Sequence, residues 1–175
     1  MKKLSISIFL ITTSLMNSQS IKFEKVIQTD STESKLILFE RLNSKLMEFM
    51  GSKEKYDKNI IQLDKEMGII KFNQILNYDP KGNRSDDGTV KYQTNVYFKN
   101  GRFKIILNDF EHQGKGISLF MITDDSEYPH KKSNYLKFRK KAWLELKIYL
   151  NSEMPKTFLT MESLITTPTE MESDW

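Results

Sequence analysis

The chain has 175 residues, 38% of them hydrophobic and 29% charged, with no Cys, two His and a formal net charge of +4. The lack of Cys excludes disulfide scaffolds, thiol nucleophiles, thiolate metal sites and a lipidated N-terminal Cys, and two His are too few for most imidazole-rich metal centres. The length suits one domain and does not comfortably hold two.

Residues 1–20 read as an export signal. Lys2 and Lys3 open it with positive charge, residues 4–15 are apolar apart from Ser and Thr, and Ser18-Gln19-Ser20 places small side chains at the minus-three and minus-one positions before Ile21. Cleavage after Ser18 is the alternative, with the bulkier Met16 at minus three. The apolar run falls well short of the ~20 residues of a spanning helix. Export to the periplasm or the extracellular space is therefore expected. Losing Lys2 and Lys3 leaves a net charge of +2, which offers little pull toward nucleic acid.

The expected organisation is a domain over 21–152 and an acidic tail over 153–175. Residues 21–28 alternate as a strand, with Ile21, Phe23 and Ile27 on one side and Lys22, Glu24 and Gln28 on the other. Asp30 and Glu33 have capping-box spacing. Leu36, Phe39, Leu42, Leu46, Phe49 and Met50 then form the apolar stripe of a helix of about 18 residues, with Lys45 and Glu48 in water and Gly51 as the stop.

Four strands are predicted next. Residues 59–65 carry Ile61 and Leu63 on one face. Residues 69–78 set Ile70, Phe72 and Leu76 against Lys71, Asn73 and Asn77. After the polar loop 79–88, residues 89–99 alternate most cleanly, with Val90, Tyr92, Val96 and Phe98 on one side. Asn100-Gly101 is a strong hairpin turn, and residues 102–111 return with Phe103, Ile105 and Leu107 inward. Residues 117–122 read as a further short strand or a packed loop. Ser133 or Asn134 caps a second long helix, striped by Tyr135, Phe138, Ala142, Leu146 and Tyr149, which Pro155 is expected to end.

The order strand, helix, four antiparallel strands, helix is that of one half of the TATA-binding-protein fold. With the Lys99-Asn100-Gly101-Arg102-Phe103-Lys104 hairpin and the export signal, the chain resembles a bacterial family described as a domain of unknown function with a TBP-like fold. The resemblance covers residues 21 to about 112 best. It implies an α+β architecture, an antiparallel sheet with two long helices on one face. It implies no activity, cofactor or catalytic residue, and a fold name by itself carries no DNA-binding function.

Two helices on one face leave the other face of the sheet uncovered. Alternation places Lys71, Asn73, Ile75, Lys91, Gln93, Asn95, Tyr97, Lys99, Arg102, Lys104, Ile106, Asn108 and Phe110 there. Solvated sheet faces of this kind are common. Aromatic and aliphatic anchors among hydrogen-bonding groups also suit a binding patch, and the residues singled out as ligand-binding are Ile75, Lys91, Gln93, Asn95, Tyr97, Arg102, Ile106 and Phe110.

Charge is uneven. Residues 131–147 are strongly basic, with Lys137, Arg139, Lys140 and Lys141 at the centre, and the tail from Glu153 is acidic. A solvated helix face explains the basic run. Attraction to an anionic envelope surface is the functional alternative, and an acidic tail folded over the basic helix would hide it.

Asp109, Glu111 and His112 are the weak catalytic candidates, His112 as base and a carboxylate to orient it. On a regular strand Asp109 and Glu111 share a face and His112 points away. Asp79, Asp86 and Asp87 lack calcium-loop spacing, Gly114-Lys115-Gly116 is too short for a phosphate cradle, and no metal or cofactor is expected. The reading favours a non-enzymatic module of the bacterial envelope that engages a protein, peptide or glycan through the open sheet face. A small hydrolase around Asp109–His112 and a surface protein attached through the basic helix are the alternatives.

Overall fold

The computed structural model describes residues 19–80, 84–130 and 135–169. The chain runs β1 (Phe23–Gln28), α1 (Lys35–Met50), α2 (Lys53–Asn59), β2 (Ile60–Asp64), β3 (Ile69–Tyr78), β4 (Gly88–Lys99), β5 (Arg102–Gly114), β6 (Phe120–Met121) and α3 (Leu136–Thr166). The strands form one antiparallel sheet in the order β1-β5-β4-β3-β2, and β6 continues the β1 side by pairing with the end of β5. This is the expected α+β arrangement, with α2 added and with the strand alternative for residues 117–122 taken up by β6. Most of the predicted signal lies outside the described residues; Ser20 bridges to Thr123.

Alternation decides which face is buried. Ile70 and Phe72 of β3, Val90, Tyr92, Val96 and Phe98 of β4, and Phe103, Ile105 and Leu107 of β5 are buried on one side, under Leu38, Phe39, Leu42 and Leu46 of α1 and the inner stripe of α3. At Asn100-Gly101 the chain reverses with Gly101 at φ 67°, a conformation that favours glycine.

Several local expectations are corrected. Helix α1 is capped by Ser34, whose hydroxyl accepts the Ile37 N–H at 3.2 Å. The expected box does not form, because Asp30 accepts instead from Thr32 and Glu33 pairs with Arg41. Leu36 and Phe49 lie on the exposed side of α1. Lys45 is not simply in water: its ammonium donates to the Leu164 and Thr167 carbonyls at the end of α3, where free carbonyls and the helix dipole favour a cation. In β2, Ile60 packs on the core, and a bulge between Ile60 and Gln62 breaks the simple pairing of Ile61 with Leu63.

Pro155 does not end the second long helix. Helix α3 continues through it to Thr166, a run of 31 residues. Met154, Phe158, Met161 and Ile165 extend the buried stripe of Leu146 and Leu150, and their burial outweighs the one backbone bond that proline removes. Pro155 and Asn151, whose carbonyl loses that bond, are both exposed. The segment from 153 to 166 is therefore part of the core and does not fold back over the basic half of the helix. Tyr135, expected on the inner stripe, is exposed at the cap position with φ 59°; Ser133 and Asn134 lie outside the described residues.

Candidate functional site: the uncovered sheet face

The weak catalytic cluster does not assemble. Strand β5 carries a bulge in which Asp109 and Phe110 together face Tyr92, between the pairs Lys91↔Glu111 and Gln93↔Asn108. Asp109 takes φ 56°, which short acidic side chains tolerate, and points to solvent. The extra residue reverses the parity of the strand. Phe110, expected on the open face, is fully buried, stacked on Tyr92 and edge-on to Phe23. His112 is also in the core, 1% exposed. Its Nε2 donates to the Asp86 carbonyl at 2.9 Å and its Nδ1 accepts the Leu119 N–H at 3.0 Å. Both nitrogens are therefore occupied, and burial pushes the imidazole below its ordinary pKa. A cavity of about 530 Å³ lies nearby, lined by Asn77, Tyr78, Asp79, Asp87, Gln113 and Lys115 among others, but His112 is not in its wall. The hydrolase reading loses its base.

The loop that meets His112 is built on ions. Asp86 is fully buried and takes two bonds from Arg84, which also pairs with Glu145 of α3. Burial, helped by the Asp86 carboxylate, pushes the adjacent Tyr78 hydroxyl up to about 12. The N–H groups of Lys115, Gly116 and Ile117 are taken by the carbonyls of Asp87 and Ser85, so the Gly114-Lys115-Gly116 run seals a loop and offers no free donors to a phosphate. Among the described residues no group of three or more His, Asp or Glu is placed to hold a metal ion.

The basic patch on α3 is smaller than the sequence suggests. Arg139 donates to the Ser118 carbonyl and lies over the Phe120 ring. Lys147 donates to the Asp125 carbonyl and sits 4.3 Å from the Trp143 ring centre. Both pin the segment between β5 and α3. Lys137, Lys140 and Lys141 remain exposed.

The helix-free face of the sheet holds the other predicted positions. Ile75, Lys91, Gln93, Asn95, Tyr97, Arg102 and Ile106 lie there, with Tyr97 between Ile69 and Lys104 and Asn95 between Lys71 and Ile106. Neighbouring side chains close over Asn95, whose amide donates to Asn108 at 2.7 Å, and Asn108 in turn donates to Asp109 at 2.9 Å. This chain of amides fixes the middle of the face.

The hairpin end is different. Val26, Tyr97, Lys99, Arg102, Phe103 and Lys104 surround a depression of about 350 Å³. Val26 is 54% exposed and went unremarked in the sequence, although it is the apolar member of the outward side of β1. Glu24 accepts from Lys22 at 2.8 Å and from Lys104 at 3.2 Å, and these two cations, Lys22 foremost, hold its carboxyl below the usual range. Lys99 and Arg102 have no carboxylate partner among the described residues. The depression thus combines an apolar floor with two cations that have no carboxylate partner among the described residues.

Two solved structures share the fold. A TBP-like protein from Parabacteroides distasonis superposes with a TM-score of 0.59 at 13% identity, covering 88% of this chain and 97% of its own. A DUF4468 family protein from Bacteroides ovatus superposes with a TM-score of 0.55 at 18% identity, covering 86% of this chain and 89% of its own. No family model and no curated protein matches the sequence. At these identities the likeness establishes the architecture alone: this chain has a TBP-like α+β fold.

Proposed function

We propose that the protein is an exported, non-enzymatic binding module of the bacterial envelope, and that the hairpin end of its open sheet face takes an acidic peptide segment carrying an apolar anchor. The observation that supports this most is the depression beside Tyr97 and Val26, rimmed by Lys99 and Arg102 without carboxylate partners. An aliphatic or aromatic side chain would fill the floor, and a neighbouring Asp or Glu would meet the two cations. Such desolvated aromatic and Arg positions tend to dominate binding energy. The export part rests on the order of charge, apolar run and small residues in 1–20.

A photo-crosslinking residue at position 97, installed in cells, tests the reading. It should capture a discrete partner, whereas the same group at exposed Lys53 on α2 should not. Adding Arg102→Glu should cut the yield at 97 on the order of tenfold or more. Equal capture at both positions, or none at 97, counts against the binding module. Sequencing the amino end of the cell-derived protein tests export: it should begin at residue 19 or 21.

A further inference from the structure

Independently of the open sheet face, we propose that the protein forms a two-fold symmetric dimer through the outer side of α3, packed antiparallel on the same helix of a second copy. The outer side of α3 is unusually apolar for a face in water. Leu144, Ile148 and Leu159 are 50%, 69% and 63% exposed, and Pro155 is exposed between them. At 3.6 residues per turn these four positions fall within about 60° of one another on one side of the helix, away from Leu146, Leu150 and Met154.

The order of residues along this face selects a second copy as the occupant. A two-fold axis passing between Asn151 and Ser152 sets Ile148 against Pro155 of the second copy and Leu144 against Leu159 of the second copy. The same axis sets Lys141 against Glu162 of the second copy, and all of these pairs repeat on the other side. One face therefore complements itself in both apolar pattern and charge, as an isologous contact requires. Lys141 is exposed and has only a loose 3.8 Å contact with Glu145. Glu162 bonds Lys25 at 2.7 Å and keeps about a third of its side chain in water, so it retains room for a second cation.

The polar residues at the axis do not oppose the contact. The Asn151 amide donates to the Lys147 carbonyl and the Ser152 hydroxyl to the Tyr149 carbonyl, both within the helix itself. Asn151 keeps a second amide N–H and the backbone carbonyl that Pro155 leaves without a helical donor, and the two copies of Asn151 that meet at the axis must satisfy these groups in each other. A single helix face offers less area than the about 800 Å² per partner of a standard interface, so the dimer depends on concentration.

Sedimentation velocity of the full-length protein over a concentration series reads the assembly. The mass should move toward twice that of the monomer as concentration rises, and Ile148→Glu should hold it at the monomer value with an unchanged circular-dichroism spectrum. The Cys-free chain also allows a register test. Mixed Leu144→Cys and Leu159→Cys proteins should form a hetero-disulfide under mild oxidation, and Leu144→Cys alone should not pair with itself. A monomer at every concentration overturns the proposal. So does a dimer that survives Ile148→Glu, or a Leu144→Cys protein that crosslinks to itself as readily as to Leu159→Cys. None of these readouts depends on a ligand at Tyr97, so the two proposals succeed or fail separately.

Discussion

Phe110 lies flat against Tyr92, ring centres 5.2 Å apart and planes 12° apart, although strict alternation would put the two residues on opposite faces of the sheet. The bulge at Asp109 makes the contact possible and moves His112 inward with it. Phe110→Ala should cost about 3–5 kcal/mol, as removal of a fully buried ring does, measured by urea unfolding. At the bulge itself, Asp109→Gly should be neutral or mildly stabilising, whereas Asp109→Val should cost about 1–2 kcal/mol, because a β-branched residue resists positive φ. Equal effects of Gly and Val would remove the backbone explanation.

His112 predicts a pH dependence. Its folded pKa is lowered from the ordinary 6.5 by burial, so below that value the unfolded chain binds the proton more readily than the folded one. Stability is then complete above about pH 6.5 and falls as the pH drops through the lowered folded value. Protonation would also remove the Nδ1 acceptor that holds the Leu119 N–H. Unfolding curves between pH 7 and 5 should show a decline in the wild type that is reduced in His112→Gln. Parallel declines would assign the effect to other groups.

Asp86 is buried with Arg84 as its cationic partner. Arg84→Met strands the carboxylate and should cost about 3–5 kcal/mol. Arg84→Met combined with Asp86→Asn should recover part of that loss, since the uncompensated charge is gone. A double variant no better than the single one would mean that the Glu145 link, and not the buried pair, carries the loop.

Pro155 is tolerated in α3 and not required by it. Pro155→Ala restores the N–H that reaches the Asn151 carbonyl and should raise stability by about 1–3 kcal/mol, read as a higher urea midpoint. The measurement belongs at a concentration where the protein is monomeric, and a loss of stability there would mean that the ring makes a packing contribution its exposure does not suggest.

The faces of β4 and β5 were legible because apolar residues hold every second position from Val90 to Phe98, with Thr94 the polar member of the inward phase, and again at Phe103, Ile105 and Leu107, and with them the open-face positions Tyr97, Arg102 and Ile106. The bulge left a trace that alternation alone overlooks: the apolar phase moves from 103, 105 and 107 to 110. Likewise Met154, Phe158, Met161 and Ile165 continue the helical spacing past Pro155, so the stripe was the better guide than the breaker. Helix α2 was hidden because it buries no residue, and a helix without an apolar stripe has no period to read. That Lys99 and Arg102 have no carboxylate partner among the described residues was beyond the sequence, since it depends on which side chains the register sets beside them: Arg102 lies opposite Gln28 and Lys99.

The ion pair between Lys25 of the first strand and Glu162 in the last turns of α3 joins the two ends of the described chain. Met161 and Ile165 complete the core beside it. A nascent polypeptide therefore cannot close its interior until the turns of α3 that carry Met161 and Ile165 have been synthesised, so the native state follows completion of that helix. A chain that stops before Met161 should be prone to proteolysis, because α1 then loses part of the α3 helix it packs against.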